Sequence, residues 1–211
     1  MFTLENHQLI KDFLNLIYGD TSVVSASIKA RQKLDLYENR NYVYGDFDLT
    51  SMYKILSELK PKDGEIFYDL GSGGGRITMF AALAFPFAKC VGVEFFEELN
   101  NISKEVLTRL KIELPKAPFY HEENEPKIDF IHGDMLKTDV SDADIIYTYS
   151  TCFDAAFMLK LAHHLEKQLK PGARVITVTK ALPSDKFKII KEDKYDVEWG
   201  QATVFFQDKL I

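Results

Sequence analysis

One stretch constrains this chain more than any other: Asp69-Leu70-Gly71-Ser72-Gly73-Gly74-Gly75-Arg76. The apolar run Ile66-Phe67-Tyr68 before it reads as a buried strand, and Ile77 to Ala84 after it reads as a helix. A strand that turns through glycines into a helix presents free backbone N–H groups and the positive end of a helix dipole. Without Cβ atoms in the way, a ligand can approach that backbone closely. The spacing narrows the choice of ligand. A dinucleotide fingerprint, Gly-x-Gly-x-x-Gly counted from Gly71, would place its third glycine at position 76, which is Arg76. The carboxylate of Asp69 repels a pyrophosphate but suits an ammonium group and hydroxyls. S-adenosylmethionine carries both and has no phosphate.

The rest of the chain supplies a frame for this turn. Strand patterns recur at Cys90–Glu94, Ile128–His132, Asp144–Tyr149 and Arg174–Thr179, with helical patterns over 97–113 and 153–169. Alternation of this kind predicts a parallel sheet with helices on both faces. The tail differs. Phe187–Ile190 and Tyr195–Trp199 lead to Gly200, and Ala202–Phe206 returns, which predicts an antiparallel hairpin at the sheet edge. Ahead of the sheet, helical spacing runs over 4–18, 23–37 and 49–59, the last stopping at Pro61. We divide the chain into a helical N-terminal extension, 1–43, and a main domain, 44–211. The extension reads either as a packing cap or as a lid on the substrate side.

Ligands in open parallel sheets bind at the carboxyl ends of the strands. Asp69, Glu94, Asp134 and the pair Tyr149-Ser150 all fall at such ends. Glu94 lies 19 residues beyond Gly75, near the offset at which an acid meets ribose hydroxyls. Asp134 can accept from an adenine amino group, and Met135 can pack on the ring. Gly71, Ser72, Gly73 and Gly75 form the cradle. Tyr44, Asp46, Tyr147, Tyr149, Ser150, Thr151 and Phe153 are candidates for the walls of a reacting pocket. Aromatic walls exclude water and face a sulfonium by cation–π attraction.

Bulk properties set limits. A net charge of −6 argues against direct nucleic-acid binding. No apolar run is long enough for a membrane span, and the first residues lack a signal-peptide pattern. Cys90 and Cys152 sit in apolar surroundings and read as reduced thiols, which gives a cytoplasmic expectation. The five histidines show no metal-ligand spacing, so no metal site is expected. Nothing in the sequence speaks to oligomeric state.

From about Tyr42 to Lys180 the chain resembles the class I S-adenosylmethionine-dependent methyltransferases. More narrowly it resembles the disruptor-of-telomeric-silencing (Dot one-like) histone lysine methyltransferases. The residues that carry the likeness are Tyr44-Gly45 before an acid, Phe67-x-Asp69-Leu70-Gly71-Ser72-Gly73-x-Gly75, Gly92-Val93-Glu94, Gly133-Asp134 and Lys170-x-Gly172-x-Arg174. The resemblance implies a Rossmann-like seven-stranded methyltransferase sheet, mostly parallel with the C-terminal hairpin antiparallel. It implies Tyr44 and Asp46 over the methionine end of S-adenosylmethionine, Asp69 and Gly71 on its amino-acid part, Glu94 on the ribose and Asp134 on the adenine. Two departures stand out. The family's Val-Asn-Asn-Phe-x-Phe segment falls on Thr148-Tyr149-Ser150-Thr151-Cys152-Phe153, and a glutamine after the glycine turn is Arg76.

The function this implies is in-line methyl transfer to a protein lysine, with Asp46, Tyr149 and Ser150 as the catalytic candidates. The alternatives are a small-molecule or other side-chain acceptor, or a catalytically silent cofactor-binding module. A nicotinamide-dependent oxidoreductase is disfavoured by Asp69 and Arg76.

Overall fold

The structure, a computed structural model that describes residues 4–122, 125–197 and 200–211, alternates strands and helices along the middle of the chain. The strands are β1 (Ile66–Leu70), β2 (Lys89–Glu94), β3 (Ile128–His132), β4 (Ile145–Thr148), β5 (Arg174–Val178), β6 (Phe187–Val197) and β7 (Gly200–Lys209). The helices are α1 (Leu4–Tyr18), α2 (Val23–Lys33), α3 (Leu49–Leu59), α4 (Arg76–Ala84), α5 (Glu97–Glu113) and α6 (Ala155–Gln168). The strands form one sheet in the order β3-β2-β1-β4-β5-β7-β6. The first five are parallel, while β7 runs antiparallel to both β5 and β6. The chain winds outward from β1 to β3, then returns to the other side of β1 with β4. The strand order therefore reverses between β1 and β4, where open sheets of this kind form their binding crevice.

Strand parity decides what lies on each face. Phe67, Cys90, Ile145, Tyr147 and Ile176 point to a core shared with helices α1, α3, α4 and α5. Tyr68, Leu70, Val91, Ile146 and Val175 point to a second core under α6. Buried residues of both N-terminal helices, among them Ile10, Leu14, Ile17 and Ala30, belong to the first core.

Several element ends differ from the sequence pattern for local reasons. Strand β1 continues through Asp69 to Leu70, so Asp69 lies inside the strand rather than closing it. Helix α2 stops at Lys33 rather than 37, because Asp35 turns into the left-handed region (φ 55°) and the Leu36 N–H closes back on the Arg31 carbonyl at 2.8 Å. Asp144 is spent outside β4, accepting from the Ile66 N–H at 2.9 Å and pairing with Lys170 at 2.6 Å. Helix α6 begins after Asp154, whose carboxylate caps the Phe157 N–H at 2.7 Å. The hairpin is longer than the sequence pattern indicates. β6 runs over eleven residues with a register shift between Ile189 and Lys191, and its polar middle, Lys191–Lys194, belongs to an edge strand that solvent reaches. Trp199 lies outside the described residues. Among the described residues no helix is long and apolar enough to cross a membrane.

Candidate functional site

The glycine turn between β1 and α4 is held from three sides by protein. A Cβ on Gly73 would overlap the edge of the Tyr44 ring, and one on Gly74 would stand 2.8 Å from Val23 Cγ2. On Gly75 it would meet the Phe130 ring at 2.5 Å. These three glycines make room for neighbouring side chains. Gly71 differs, because its open side faces a cleft and Met135 Cε.

Two buried acids brace the turn. Glu94, 6% exposed, accepts from the Gly73 N–H and from the Phe96 N–H, each at 2.8 Å. It therefore ties the turn to the start of α5. Burial pushes its carboxyl above the usual range, while the Phe96 and Gly73 N–H groups oppose the shift. Asp69, 3% exposed, points to the α4 face and accepts from the Thr78 hydroxyl at 2.8 Å. Its carboxyl is pushed up to about 7, chiefly by burial; the Thr78 hydrogen bond opposes this and the nearby charge of Glu94 adds to it. Beside Asp69 on strand β4, the Tyr147 hydroxyl is buried without a hydrogen-bond partner.

The cleft opens at the carboxyl ends of β1, β2 and β3 and encloses about 720 Å³, continuous with solvent. Of the residues singled out from sequence, Tyr44, Gly71, Glu94, Asp134, Met135 and Tyr149 line it together. So does Phe153. Asp134 is shaped by its own turn: Oδ1 accepts from the Leu136 N–H at 2.9 Å, and Lys137 stands 3.5 Å from Oδ2.

Residues 41–46 form a strap over the cleft. Tyr44 lies on Gly73 and donates to Asp46 Oδ1 at 2.5 Å. Burial, then the adjacent Asp46 carboxylate, raises the Tyr44 phenol well beyond its ordinary value, so it stays a donor. Tyr149 touches the strap at Gly45 and meets Phe47 edge-on, with ring centroids 5.3 Å apart. Asn41 anchors the strap to α6. Its amide donates to Asp154 Oδ2 at 2.9 Å, and its carbonyl oxygen accepts from the Asp154 N–H at 2.7 Å.

The structure does not bring the remaining candidates to the cleft wall. Asp69 and Ser72 lie behind the turn, Gly73 and Gly75 are covered by side chains, and Asp46 is turned to Tyr44. Ser150 is fully buried. Its hydroxyl donates to the Val178 carbonyl at 2.7 Å and accepts from the Val178 N–H at 3.1 Å, which fastens the segment after β4 to β5. Conversely, the cleft has an aromatic end that the sequence reading left out: Tyr42, Phe95, Phe96 and Phe157. Phe95-Phe96 directly after Glu94 was the available signal, since residues just beyond a strand's carboxyl end face the crevice.

Comparison with known proteins gives a consistent result. Residues 24–202 match the family described as "Histone methylation protein DOT1". A histone-lysine N-methyltransferase specific for H3 lysine-79 from Caenorhabditis elegans is 29% identical over 159 residues, which cover 73% of this chain and 16% of that protein. A protein-lysine N-methyltransferase from Saccharolobus islandicus is 33% identical over 129 residues, 59% of this chain and 68% of that one. The chain thus spans about a sixth of the length of the nematode relative. Among solved structures, an RNA methyltransferase from Salinibacter ruber in complex with S-adenosyl-L-homocysteine superposes with a TM-score of 0.55 at 24% identity, covering 75% of this chain and 90% of that one. That likeness bears on the fold.

Proposed function

The chain belongs to the DOT1 histone methylation family, and from that premise we propose that it is an S-adenosylmethionine-dependent methyltransferase that modifies a protein lysine. One observation carries the cofactor part: Gly71, Glu94, Asp134 and Met135 line a single cleft at the switch of the sheet. The donor set fits the cofactor. Glu94 offers carboxylate lone pairs to ribose hydroxyls, and Gly71 offers bare backbone. Asp134, beside Met135 and the aromatic end, suits a flat ring with an amino group. Asp69 acts from behind the turn, setting its electrostatics through Thr78.

S-adenosylmethionine, when bound, supplies a methyl group on a sulfonium that leaves without activation by the protein. The chain's work is then to align, to exclude water and to receive an uncharged amine. A lysine has an ordinary pKa of about 10.4, so desolvation or a nearby proton acceptor must lower it. The strap and Tyr149 supply the dry wall, with Phe47 and Gly45 packed against the Tyr149 ring. Tyr44, which lines the cleft and is held by its hydrogen bond to Asp46, carries the strap's side of that wall. Support for a protein lysine comes from both kinds of relative, whose names specify histone lysine and protein lysine. The cytoplasmic expectation is kept as part of the proposal, alongside the two free cysteines.

Titration calorimetry with S-adenosylmethionine, S-adenosylhomocysteine and NAD tests the cofactor. Binding of NAD alone would sink the reading. Transfer of a tritiated methyl group to a host lysate and to purified histones then tests the acceptor. Label on a protein band is the expected result. Binding without any label would leave a silent cofactor-binding module.

A further inference from the structure

Helix α1 lies ahead of the segment shared with the family, which begins at residue 24, yet its last residue reaches the glycine turn. The Tyr18 hydroxyl, buried with its ring 5% exposed, donates to the Gly74 carbonyl at 2.7 Å. That carbonyl shares a peptide unit with the Gly75 N–H, which donates to the Ser72 carbonyl at 2.8 Å. Tyr18 and Ser72 therefore hold opposite sides of one peptide that closes the turn around Gly73. With no Cβ at positions 73, 74 or 75, hydrogen bonds and neighbouring side chains alone fix these peptide planes. Gly73 in turn donates to Glu94, which lines the cleft.

The end of α1 is itself fixed. Arg109 on α5 donates to the Ile17 carbonyl at 3.2 Å and to the Thr21 hydroxyl at 3.3 Å, placing a cation where the helix dipole is negative. Arg76, the residue at which the chain departs from the family's glutamine, also turns to α1. Its guanidinium stands 5.7 Å from the centre of the Tyr18 ring and donates to Asn15 Oδ1. The departure at Arg76 and helix α1 are parts of one contact.

We infer that Tyr18 is a positioning residue for the cofactor turn: its hydroxyl fixes the Gly74–Gly75 peptide and thereby sets cofactor affinity through Gly73 and Glu94. The inference rests on the methyltransferase reading above. It also gives the N-terminal helices a role beyond covering the core.

The test is calorimetric titration of S-adenosylhomocysteine into the full chain and two variants, at a temperature where circular dichroism shows all three folded. Tyr18→Phe keeps the ring and removes only the hydroxyl, so it should bind roughly 10-fold more weakly, the worth of one buried hydrogen bond. Leu14→Ala, in the same helix and fully buried in the core, should lower the melting temperature more than Tyr18→Phe while keeping affinity within about twofold of wild type. Affinity within twofold of wild type for Tyr18→Phe would overturn the inference. So would an equal loss of affinity in both variants, which would mark a merely structural role. Absence of binding by the wild type would remove the cofactor reading and this inference with it.

Discussion

The two halves of the cleft are built differently. The half assigned to the cofactor is made of strand ends and the glycine turn, and its parts hold one another: Glu94 clamps Gly73 and Phe96, while Tyr44, Val23 and Phe130 fill the space over three glycines. The half assigned to the acceptor is a strap and the segment after β4, where ring edges meet and Asn41 pairs with Asp154 at the exposed end. By the resemblance, the first half departs from the family at Arg76, whose side chain turns to α1, and the second departs at Tyr149 and Ser150. A site of this construction can change its acceptor at Tyr149, which faces the cleft, while Glu94 keeps its bonds to the glycine turn. Ser150 shows the limit of that freedom, since its hydroxyl serves the β5 backbone rather than the cleft.

The strongest way to break this contrast is Glu94→Ala. Two buried N–H groups lose their acceptor, at about 1–3 kcal/mol each, so we expect a destabilisation of about 4 kcal/mol by denaturant titration. No cofactor binding should be detectable by calorimetry. A variant as stable as wild type would show that this half is not self-bracing.

Asp69 gives a pH test of the same half. Burial pushes its carboxyl up to about 7 in the folded chain, against about 3.9 for an ordinary aspartate. Between those values the folded state holds a proton that the unfolded chain has lost, so stability falls as pH rises through the window and levels off above 7. At about 1.4 kcal/mol per unit, the shift corresponds to roughly 4 kcal/mol across the window. Asp69→Asn should lack this slope. The difference between the two stability curves, measured without cofactor, isolates Asp69 from Glu94, whose carboxyl is raised in the same direction.

The same contrast explains what could be read from the sequence. Alternation of strands and helices, the glycine turn and the acids at strand ends are local patterns, and they gave the sheet, its hairpin and the residues around Gly71, Glu94 and Asp134. What escaped depends on contacts between distant segments. Nothing near Tyr18 or Val23 announces that they touch Gly74. Asp69 looked like a cleft wall because it precedes the turn. One more residue of strand, to Leu70, turns it instead toward Thr78. Ser150 looked accessible for a similar reason, and only tertiary packing reveals Val178 as its partner.

Gly73→Ala probes where the halves meet. Gly73 has φ 55°, and a Cβ there clashes with the edge of the Tyr44 ring. A left-handed alanine costs about 1 kcal/mol and overpacking about 1–3 kcal/mol more, so we expect a loss of about 3 kcal/mol in denaturant titration. Tyr44→Ala opens the needed space. In a double-mutant cycle the pair should therefore be less destabilising than the sum by at least about 1 kcal/mol. Strict additivity would mean that the strap does not bear on the turn.

The smallest expected effect is the sharpest for the acceptor half. Asn41→Ala removes both exposed hydrogen bonds to Asp154, which contribute little because water replaces them readily. Asp154 keeps its capping bond to Phe157, so α6 should stay intact. For a chain of this size the melting temperature should drop by only about 2–4 °C. The effect should be local: amide hydrogen exchange in residues 42–46 should quicken about fivefold, while exchange in residues 71–75 stays as in wild type. Cofactor affinity should remain within about twofold, since Glu94, Gly71 and Asp134 keep their partners. Faster exchange in both segments would show that the anchor of the strap also holds the glycine turn, through Tyr44 on Gly73, and that the two halves open as one unit.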